Sequence, residues 1–375
     1  MMASDTTVTD TLEEILGLPP RLAEPLDARP LVLYGAGGKG REVLRLLREA
    51  DHEVAAFIDR RAIGTIDGVP VHSPDHRLVA DLARGGTTAI VSVFNPHADP
   101  LEISQLLSDS GFSRVVGMVE LRQMLPVSES YWLAREPEMA PPVEEARWLH
   151  GRVSDELSRS VLRQALRLRK FWKPESLRDV VTFDQYLPAG VPLIREEIRF
   201  VDGGAFDGDT LEFLSSHGCT FQAFAAFEPD PSNFAMLRRR VNDISPCREV
   251  SLWPCGLGRG LDQVRFRSVG NSASKIDDGG DVVVQIVALD EVMPGFHPTY
   301  VKLDIEGAEA AALEDMTKTL AESAPALAVC LYHKPPDLWE LPRLVDRLLP
   351  NSRFYLRAHA WNHFELLLYA VPNKL

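Results

Sequence analysis

The sequence predicts an α/β protein with two Rossmann-like domains, the second closed by a terminal antiparallel hairpin. Three observations carry this. Apolar strand-like runs alternate with amphipathic helical stretches, the pattern of βαβ units and parallel sheets. Two of those runs, Leu31–Tyr34 and Ile198–Val201, lead directly into glycine-rich loops that open helices. At 375 residues, and with roughly 150 residues per domain, the chain has room for two domains.

Composition sets the outer bounds. Hydrophobic residues make up 45% and charged residues 25%, enough to bury cores, which excludes a wholly disordered or fibrous chain. The net charge is −14, from 54 acidic and 40 basic residues, which argues against a nucleic-acid partner bound by broad phosphate neutralisation and against an anionic membrane surface. The four cysteines, Cys219, Cys247, Cys255 and Cys330, show no CxxC spacing. They form neither a disulfide framework nor a zinc signature and read as reduced thiols. The N-terminus lacks a basic region and an apolar core, so it is no signal peptide. No apolar run approaches the ~20 residues that span a bilayer. The expectation is a cytoplasmic protein without a membrane span, compatible with a homo-oligomer.

Taken in order, residues 1–28 read as a flexible leader, with a short amphipathic helix near Thr11–Leu16 as the alternative. The first domain is placed at 29–125. Its strands are Leu31–Tyr34, Val54–Ile58, Ala89–Phe94 and Val115–Val119, and its helices include Arg41–Ala50 and Leu101–Ser110. A helical linker follows at 126–195. Its opening is punctuated by Pro126, Pro137, Pro141 and Pro142, and Val143–Lys170 reads as one long helix. Val153, Leu157, Val161, Leu162, Ala165, Leu166 and Leu168 give that helix an apolar stripe. Arg152, Arg159, Arg163, Arg167, Arg169 and Lys170 read as a solvated basic face, with an anion-binding surface as the alternative.

The second domain is placed at 196–375. Its strands are expected at Ile198–Val201, Phe221–Phe227, Val250–Trp253, Val264–Phe266, Val282–Val287, Tyr300–Leu303 and Ala326–Tyr332. Helices are expected at Leu211–Ser216, Asn233–Asn242, Glu309–Leu320 and Leu338–Leu349. Arg353–Arg357 and Glu365–Val371 form the terminal hairpin.

The two glycine loops differ in chemistry. Gly35-x-Gly37-x-x-Gly40 follows a strand and opens a helix, so an anionic group can approach backbone N–H groups at the helix N-terminus. Asp59, 19 residues after Gly40 at the end of the next strand, can accept from ribose hydroxyls. These four residues predict a nucleotide site; the alternative is glycines that serve only the turn. The second loop, Asp202-Gly-Gly-Ala-Phe-Asp-Gly-Asp-Thr210, carries acids where a phosphate loop has amides and a lysine. Asp202, Asp207 and Asp209 suit a cationic ligand, and S-adenosylmethionine (SAM) has a sulfonium and an ammonium. Glu228, 26 residues after Asp202, ends the next strand, where it can take both ribose hydroxyls. Together these define a class I methyltransferase crevice at the carboxyl ends of the strands. Val301-Lys-Leu-Asp-Ile-Glu-Gly-Ala-Glu309 brings Lys302, Asp304 and Glu306 to the same mouth.

VDGGAFDGDT, FEPDPSNF, ALDEV and VKLDIEGAE, in this order, resemble the FkbM family of SAM-dependent methyltransferases over roughly residues 184–371. That family is known chiefly for O-methylation of sugar or polyketide hydroxyls. The resemblance implies cofactor contact by Asp202, Gly203, Gly204, Asp207, Gly208, Thr210 and Glu228, with Asp304 and Glu306 at the reaction centre. It also implies a Glu-x-His after the following strand. Here the segment is Cys330-Leu-Tyr-His333, without the glutamate, and metal ligands stay unassigned. LYGAGGKGREV, FIDR and IDGVPVHSPD resemble the N-terminal domain of PglD-type sugar acetyltransferases. That resemblance implies a nucleotide-sugar ligand for the first domain.

Methyl transfer to oxygen needs an aligned acceptor and a group that takes its proton. His333, after a buried strand, is the expected general base, since an unperturbed imidazole titrates near about 6.5. His359, His363 and Asp304 are the alternatives. The expected function is O-methylation of a hydroxyl of a sugar, glycan or nucleotide-sugar, the N-terminal domain recognising the substrate. The competing readings are a methyltransferase of a small natural product at N or O, and an NAD-dependent oxidoreductase using the first domain. Against the last, no Tyr-x-x-x-Lys follows the first loop.

Overall fold

The structure is a computed structural model that describes residues 11–26, 29–127, 132–135, 137–172, 177–267, 275–276, 279–280 and 282–373. It separates into two compact units. The first comprises residues 1–147, 160–181 and 360–364, the second 148–159, 182–359 and 365–375.

Within the expected leader, the described residues hold a helix, α1 (Leu12–Gly17). Thr11 and Glu14 close a capping box over its first turn, and Leu12 and Ile15 are buried. Lys170 Nζ donates to the carbonyls of Ile15 (2.8 Å) and Leu16 (2.9 Å), which satisfies orphan groups at the helix end.

The first unit then runs β1 (Leu31–Tyr34), α2 (Gly38–Glu49), β2 (Val54–Ile58), β3 (Gly64–Ile66), β4 (Val69–His72), α3 (Arg77–Arg84), β5 (Ala89–Val91), α4 (Pro100–Asp109), β6 (Val115–Val116) and α5 (Met118–Met124). The sheet order is β3-β4-β2-β1-β5-β6. All pairs are parallel except β3 with β4, a hairpin the sequence pattern did not reveal. Alternate residues of β1 face opposite cores. Leu31 and Leu33 pack with Val43 and Leu47 of α2, while Val32 and Tyr34 pack with Val79 of α3 and Leu107 of α4. The strand expected at Val115–Val119 stops at Val116. Gly117 caps α5, and Met118 and Leu121 turn into the α2-side core.

The single helix expected over Val143–Lys170 is two, α6 (Val143–Arg152) and α7 (Glu156–Phe171). The break has a long-range cause. Val153 bridges Phe354, and the Ser154 N–H donates to the Phe354 carbonyl at 2.8 Å. Asp155 then restarts the helix by accepting the Ser158 N–H at 2.8 Å. The basic face is not a solvated surface. Arg169 is fully buried, donates to the Met139 carbonyl at 3.1 Å and sits over the Trp132 ring. Arg152 pairs with Asp346 at 2.7 Å.

The second unit contains β7 (Ile198–Gly203), α8 (Asp209–Ser216), β8 (Phe221–Phe227), α9 (Pro231–Ile244), β9 (Glu249–Trp253), β10 (Gly256–Leu257), β11 (Asp262–Arg267), β12 (Lys275–Ile276) and β13 (Val282–Val287). It continues through α10 (Leu289–Val292), β14 (Tyr300–Leu303), α11 (Glu309–Glu314), α12 (Thr317–Ser323), β15 (Ala326–Cys330), α13 (Asp337–Leu348), β16 (Ser352–Ala358) and β17 (Leu366–Pro372). The main sheet has the order β16-β17-β15-β14-β7-β8-β9. Only β17 runs antiparallel to its neighbours, so the expected terminal hairpin is present. A smaller sheet, β10-β13-β11-β12, stands apart from it.

β7, β14 and β15 are buried almost throughout, which explains their continuous apolar runs. Phe200 and Phe224 are fully buried and stack at 5.9 Å, each burial stabilising by roughly 1.5–3 kcal/mol. The helix expected over Glu309–Leu320 is split at Asp315-Met316. Met316 is fully buried, Asp315 accepts the Gly260 N–H at 2.6 Å, and Asp290 caps the new helix through Lys318 and Thr319 (2.8 and 2.9 Å).

Candidate active site

Four adjacent parallel strands end at one edge of the main sheet. Lys302 of β14 stands opposite Asp202 of β7, Leu303 opposite Gly203 and Val329, and Gly203 opposite Phe227. The loops after β7, β8, β14 and β15 therefore open side by side. They carry Asp202–Thr210, Glu228, Asp304–Glu309 and His333.

Asp202 is fully buried and forms an ion pair with Lys302 at 3.0 Å. Burial raises its carboxyl above the usual range, and the lysine opposes that. Burial alone would lower Lys302, but Asp202, Asp304 and Asp209 hold its ammonium charged. Lys302 Nζ also donates to the Gly204 carbonyl at 2.5 Å. Asp202 thus shapes the loop through Lys302 from beneath.

The loop glycines have packing reasons. A Cβ on Gly204, at φ +74°, would lie 1.8 Å from the Asp304 carbonyl oxygen. A Cβ on Gly203 would press on Leu257 and Leu303 at 3.0 and 3.1 Å. Gly208, at φ +90°, caps α8 in the left-handed region that disfavours a side chain. Thr210 is buried in the first turn of α8. Asp207 turns to Arg240 of α9 at 2.7 Å.

Glu228 is nearly buried. Its Oε2 accepts the Phe206 N–H at 2.9 Å and its Oε1 the Asp230 N–H at 2.8 Å. Burial pushes its carboxyl up to about 7, although both backbone donors pull it down. Each oxygen keeps a lone pair, so the group can still receive two hydroxyls.

The sequence-predicted catalytic trio comes together. His333 Nε2 lies 3.3 Å from Asp304 Oδ1 and 3.9 Å from Glu306 Oε2. His333 Nδ1 lies 2.9 Å from Glu309 Oε1. Burial alone would lower this imidazole, but Glu309, Asp304 and Glu306 hold it well above its ordinary value. A protonated imidazole has no lone pair with which to take a proton. The three carboxylates around His333 thus favour its charged form over the form a general base needs.

Asp304 collects further donors. Tyr186 Oη donates to its Oδ2 and Tyr332 Oη to its Oδ1, both at 3.0 Å. Burial would raise its carboxyl, yet His333, Lys302 and Tyr186 hold it well below the usual carboxylate range. Glu365 stands beside this group and accepts from Gln185 Nε2 at 2.5 Å. Tyr186, Tyr332, Glu309, Gln185 and Glu365 are absent from the sequence-derived site. Tyr186 and Glu365 lie more than a hundred residues apart in the chain with no shared motif. Glu309 was readable, since it lies in the same block as Asp304. His359 is pushed down to about 4 by burial and holds Tyr369 and Thr182. His363 belongs to the first unit, beside Trp132.

In the first unit, Gly35 (φ +106°) and Gly40 serve the turn itself. A Cβ on Gly40 would lie 2.1 Å from the Gly35 carbonyl oxygen. Gly37 caps α2 without a side-chain hydrogen bond, and a Cβ there would meet only open space. Asp59 Oδ2 accepts the Ala36 N–H at 2.8 Å, and its Oδ1 accepts Arg61 and Ala62 at 2.8 and 2.9 Å. Burial would raise this carboxyl, but the three donors hold it below the usual range. Asp59 thus ties the loop to the end of β2.

Residues 202–358 match the family described as "Methyltransferase FkbM domain", and residues 30–98 the "PglD N-terminal domain". None of the curated proteins matches the chain. Among solved structures, the methyltransferase FkbM from Methylobacillus flagellatus KT is similar with a TM-score of 0.75 and 23% identity, covering 92% of this chain and 90% of that one. A mutant perosamine N-acetyltransferase from Caulobacter crescentus, in complex with CoA and GDP-perosamine, shows 27% identity over 24% of this chain and 42% of its own, with a TM-score of 0.20. A precorrin-6y C5,15-methyltransferase from Geobacter metallireducens GS-15 shows 11% identity over 48% of this chain and 82% of its own, with a TM-score of 0.31. The first of these shares the α/β fold described above. The protein is a methyltransferase whose residues 202–358 match the methyltransferase FkbM domain and whose residues 30–98 match the PglD N-terminal domain.

Proposed function

We propose that the second unit transfers a methyl group from SAM to a hydroxyl of a sugar, glycan or nucleotide-sugar, and that the first unit recognises the nucleotide part of that substrate. The observation that carries this reading is the carboxylate pattern at the ends of adjacent strands. Glu228 retains acceptor capacity on both oxygens at the end of β8, and Asp304 is held ionised at the end of β14, with β7 between them. A ribose fits the first group and a cationic donor fits the second. SAM supplies an activated methyl group on a sulfonium.

In this reading Glu228 binds the ribose. Asp202 is a positioning residue, acting through Lys302 and the Gly204 carbonyl. Asp209, Asp304 and Glu306 favour positive charge at the mouth. Asp304, fixed by Tyr186, Tyr332 and His333, receives the acceptor hydroxyl and orients it. Such alignment can contribute up to about 7–11 kcal/mol in ideal cases. His333 keeps Asp304 ionised. In the first unit, the backbone N–H groups that open α2 suit a phosphate.

Calorimetry with SAM, followed by methyl transfer from labelled SAM to a panel of UDP-, GDP- and dTDP-hexoses, tests this. SAM binding with label in a hexose hydroxyl is the expected result. SAM binding with label appearing only on amines would reject the hydroxyl acceptor, and no SAM binding would reject the cofactor.

A further inference from the structure

We propose that Glu365 is the proton acceptor of this centre, acting as one carboxyl of a pair with Asp304 that Tyr332 bridges. The role in turnover rests on the O-methylation reading above; the pair itself does not. An oxygen of Asp304, the Cys330 sulfur and an oxygen of Glu365 lie within 4.8 Å of one another. Two carboxyl groups this close do not readily ionise together. Their surroundings differ. Asp304 receives two tyrosine hydroxyls and faces the imidazolium of His333. Glu365 receives the Gln185 amide.

These surroundings place the shared proton. The Tyr332 hydroxyl contacts both carboxyl groups, and it has one hydrogen. That hydrogen goes to Asp304 Oδ1. Asp304, with two tyrosine hydroxyls and His333 around it, keeps its charge, and the shared proton rests on Glu365. The titratable groups facing Glu365 are Asp304, Cys330, Tyr186, Tyr332 and His333. Burial chiefly raises its carboxyl, Asp304 adds to that, and the Gln185 contact, His333 and the Tyr332 hydroxyl oppose it.

Three of the thirteen non-glycine residues with a left-handed backbone among the described residues lie around this pair: Glu365 (φ +52°), Tyr186 (φ +65°) and Glu306 (φ +55°). Such conformations persist where the surroundings over-determine them, and they concentrate at functional sites.

Release of the shared proton to solvent ionises Glu365. The acceptor hydroxyl then gives its proton to a Glu365 oxygen, and the electron pair stays on the acceptor oxygen. That pair forms the O–C bond while the C–S bond breaks with its pair going to sulfur. One sulfonium charge and one carboxylate charge disappear together, so charge balances.

The test uses the full chain labelled with glutamate 13C at the carboxyl, treated with EDTA and saturated with S-adenosylhomocysteine. NMR titration should show a carboxyl that ionises well above the usual glutamate range and is absent from Glu365→Gln. Asp304→Asn should move that titration downward and Tyr332→Phe upward, which covers the case where Glu365→Gln misfolds. Ionisation of Glu365 in the ordinary range would overturn the pair. With any hydroxyl acceptor the wild type methylates, Glu365→Gln should lose roughly 10²–10⁴-fold in rate with SAM affinity retained. Wild-type turnover with an unchanged acidic limb in that variant would overturn the proton-acceptor role. Failure of every hydroxyl acceptor would count against O-methylation, while the carboxyl titration would still decide the pair.

Discussion

Glu228 shows how much one buried carboxyl can reveal. Its acceptor role needs the ionised form, and burial pushes it up to about 7. As pH falls through that value the group becomes neutral and loses a lone pair. SAM affinity should therefore weaken below pH about 7, by up to about tenfold per pH unit. Glu228→Gln should bind SAM about 1.5–3 kcal/mol more weakly and show a flat profile between pH 6 and 8 by calorimetry. His333 gives a second prediction, on stability. Its folded value is raised, so its contribution is fully present below the unfolded value near about 6.5 and is lost as pH rises through the folded value. The melting-temperature difference between wild type and His333→Gln should shrink on the alkaline side. A difference that grew with pH would mean the imidazole is buried neutral. Position along the chain was enough to bring His333, Asp304 and Glu306 together. Its protonation state was not legible, because it depends on three carboxylates converging around one ring, and Glu306 reaches that ring from a left-handed backbone.

At the scale of elements, the strand-loop-helix grammar was readable because local periodicity and glycine placement encode it. The helix breaks were not. The α6–α7 break depends on Phe354, about two hundred residues away, and the α11–α12 break on Asp290 and Gly260. Asp155 concentrates this dependence. It restarts α7 and also pairs with Arg357 Nη2 at 2.7 Å, a guanidinium that is 1% exposed. Asp155→Ala would leave that charge buried without its carboxylate, which should cost about 3–5 kcal/mol in urea denaturation. A loss under about 1 kcal/mol would mean that Ser158 and the Leu356 carbonyl suffice for Arg357. Gly204 is the matching case in a loop. Gly204→Ala combines a left-handed backbone with contact against the Asp304 carbonyl, and should cost about 2–4 kcal/mol. Such a loss would mark the glycine as a requirement of the β7–β14 approach, independent of any cofactor.

At the scale of the whole molecule, two α/β units carry two glycine loops, which the sequence already sets apart by their chemistry. The structure separates glycines that the fold needs from one that it does not. Gly35 sits at φ +106°, and Gly40 faces the Gly35 carbonyl so closely that a side chain would break the turn. Variants there would unfold the loop whatever it binds. Gly37 has φ −80° and ψ −166°, a conformation open to any residue, and nothing lies within 4 Å of its added Cβ. It also begins a twelve-residue helix without a side-chain cap, so the N–H groups of the first turn keep their donors. Gly37→Val is consequently a clean probe of ligand approach. The variant should lose only a few degrees of melting temperature, about the cost of exchanging an N-cap glycine for valine, because no native contact is lost. UDP or GDP binding measured by calorimetry should fall by tenfold or more, because a branched side chain would stand where phosphate meets the helix. SAM affinity should be unchanged, since every residue proposed to hold SAM belongs to the second unit. Equal loss of nucleotide and SAM binding in a stably folded variant would refute that division of labour. Unchanged nucleotide binding would place the nucleotide elsewhere and leave the loop as a structural turn.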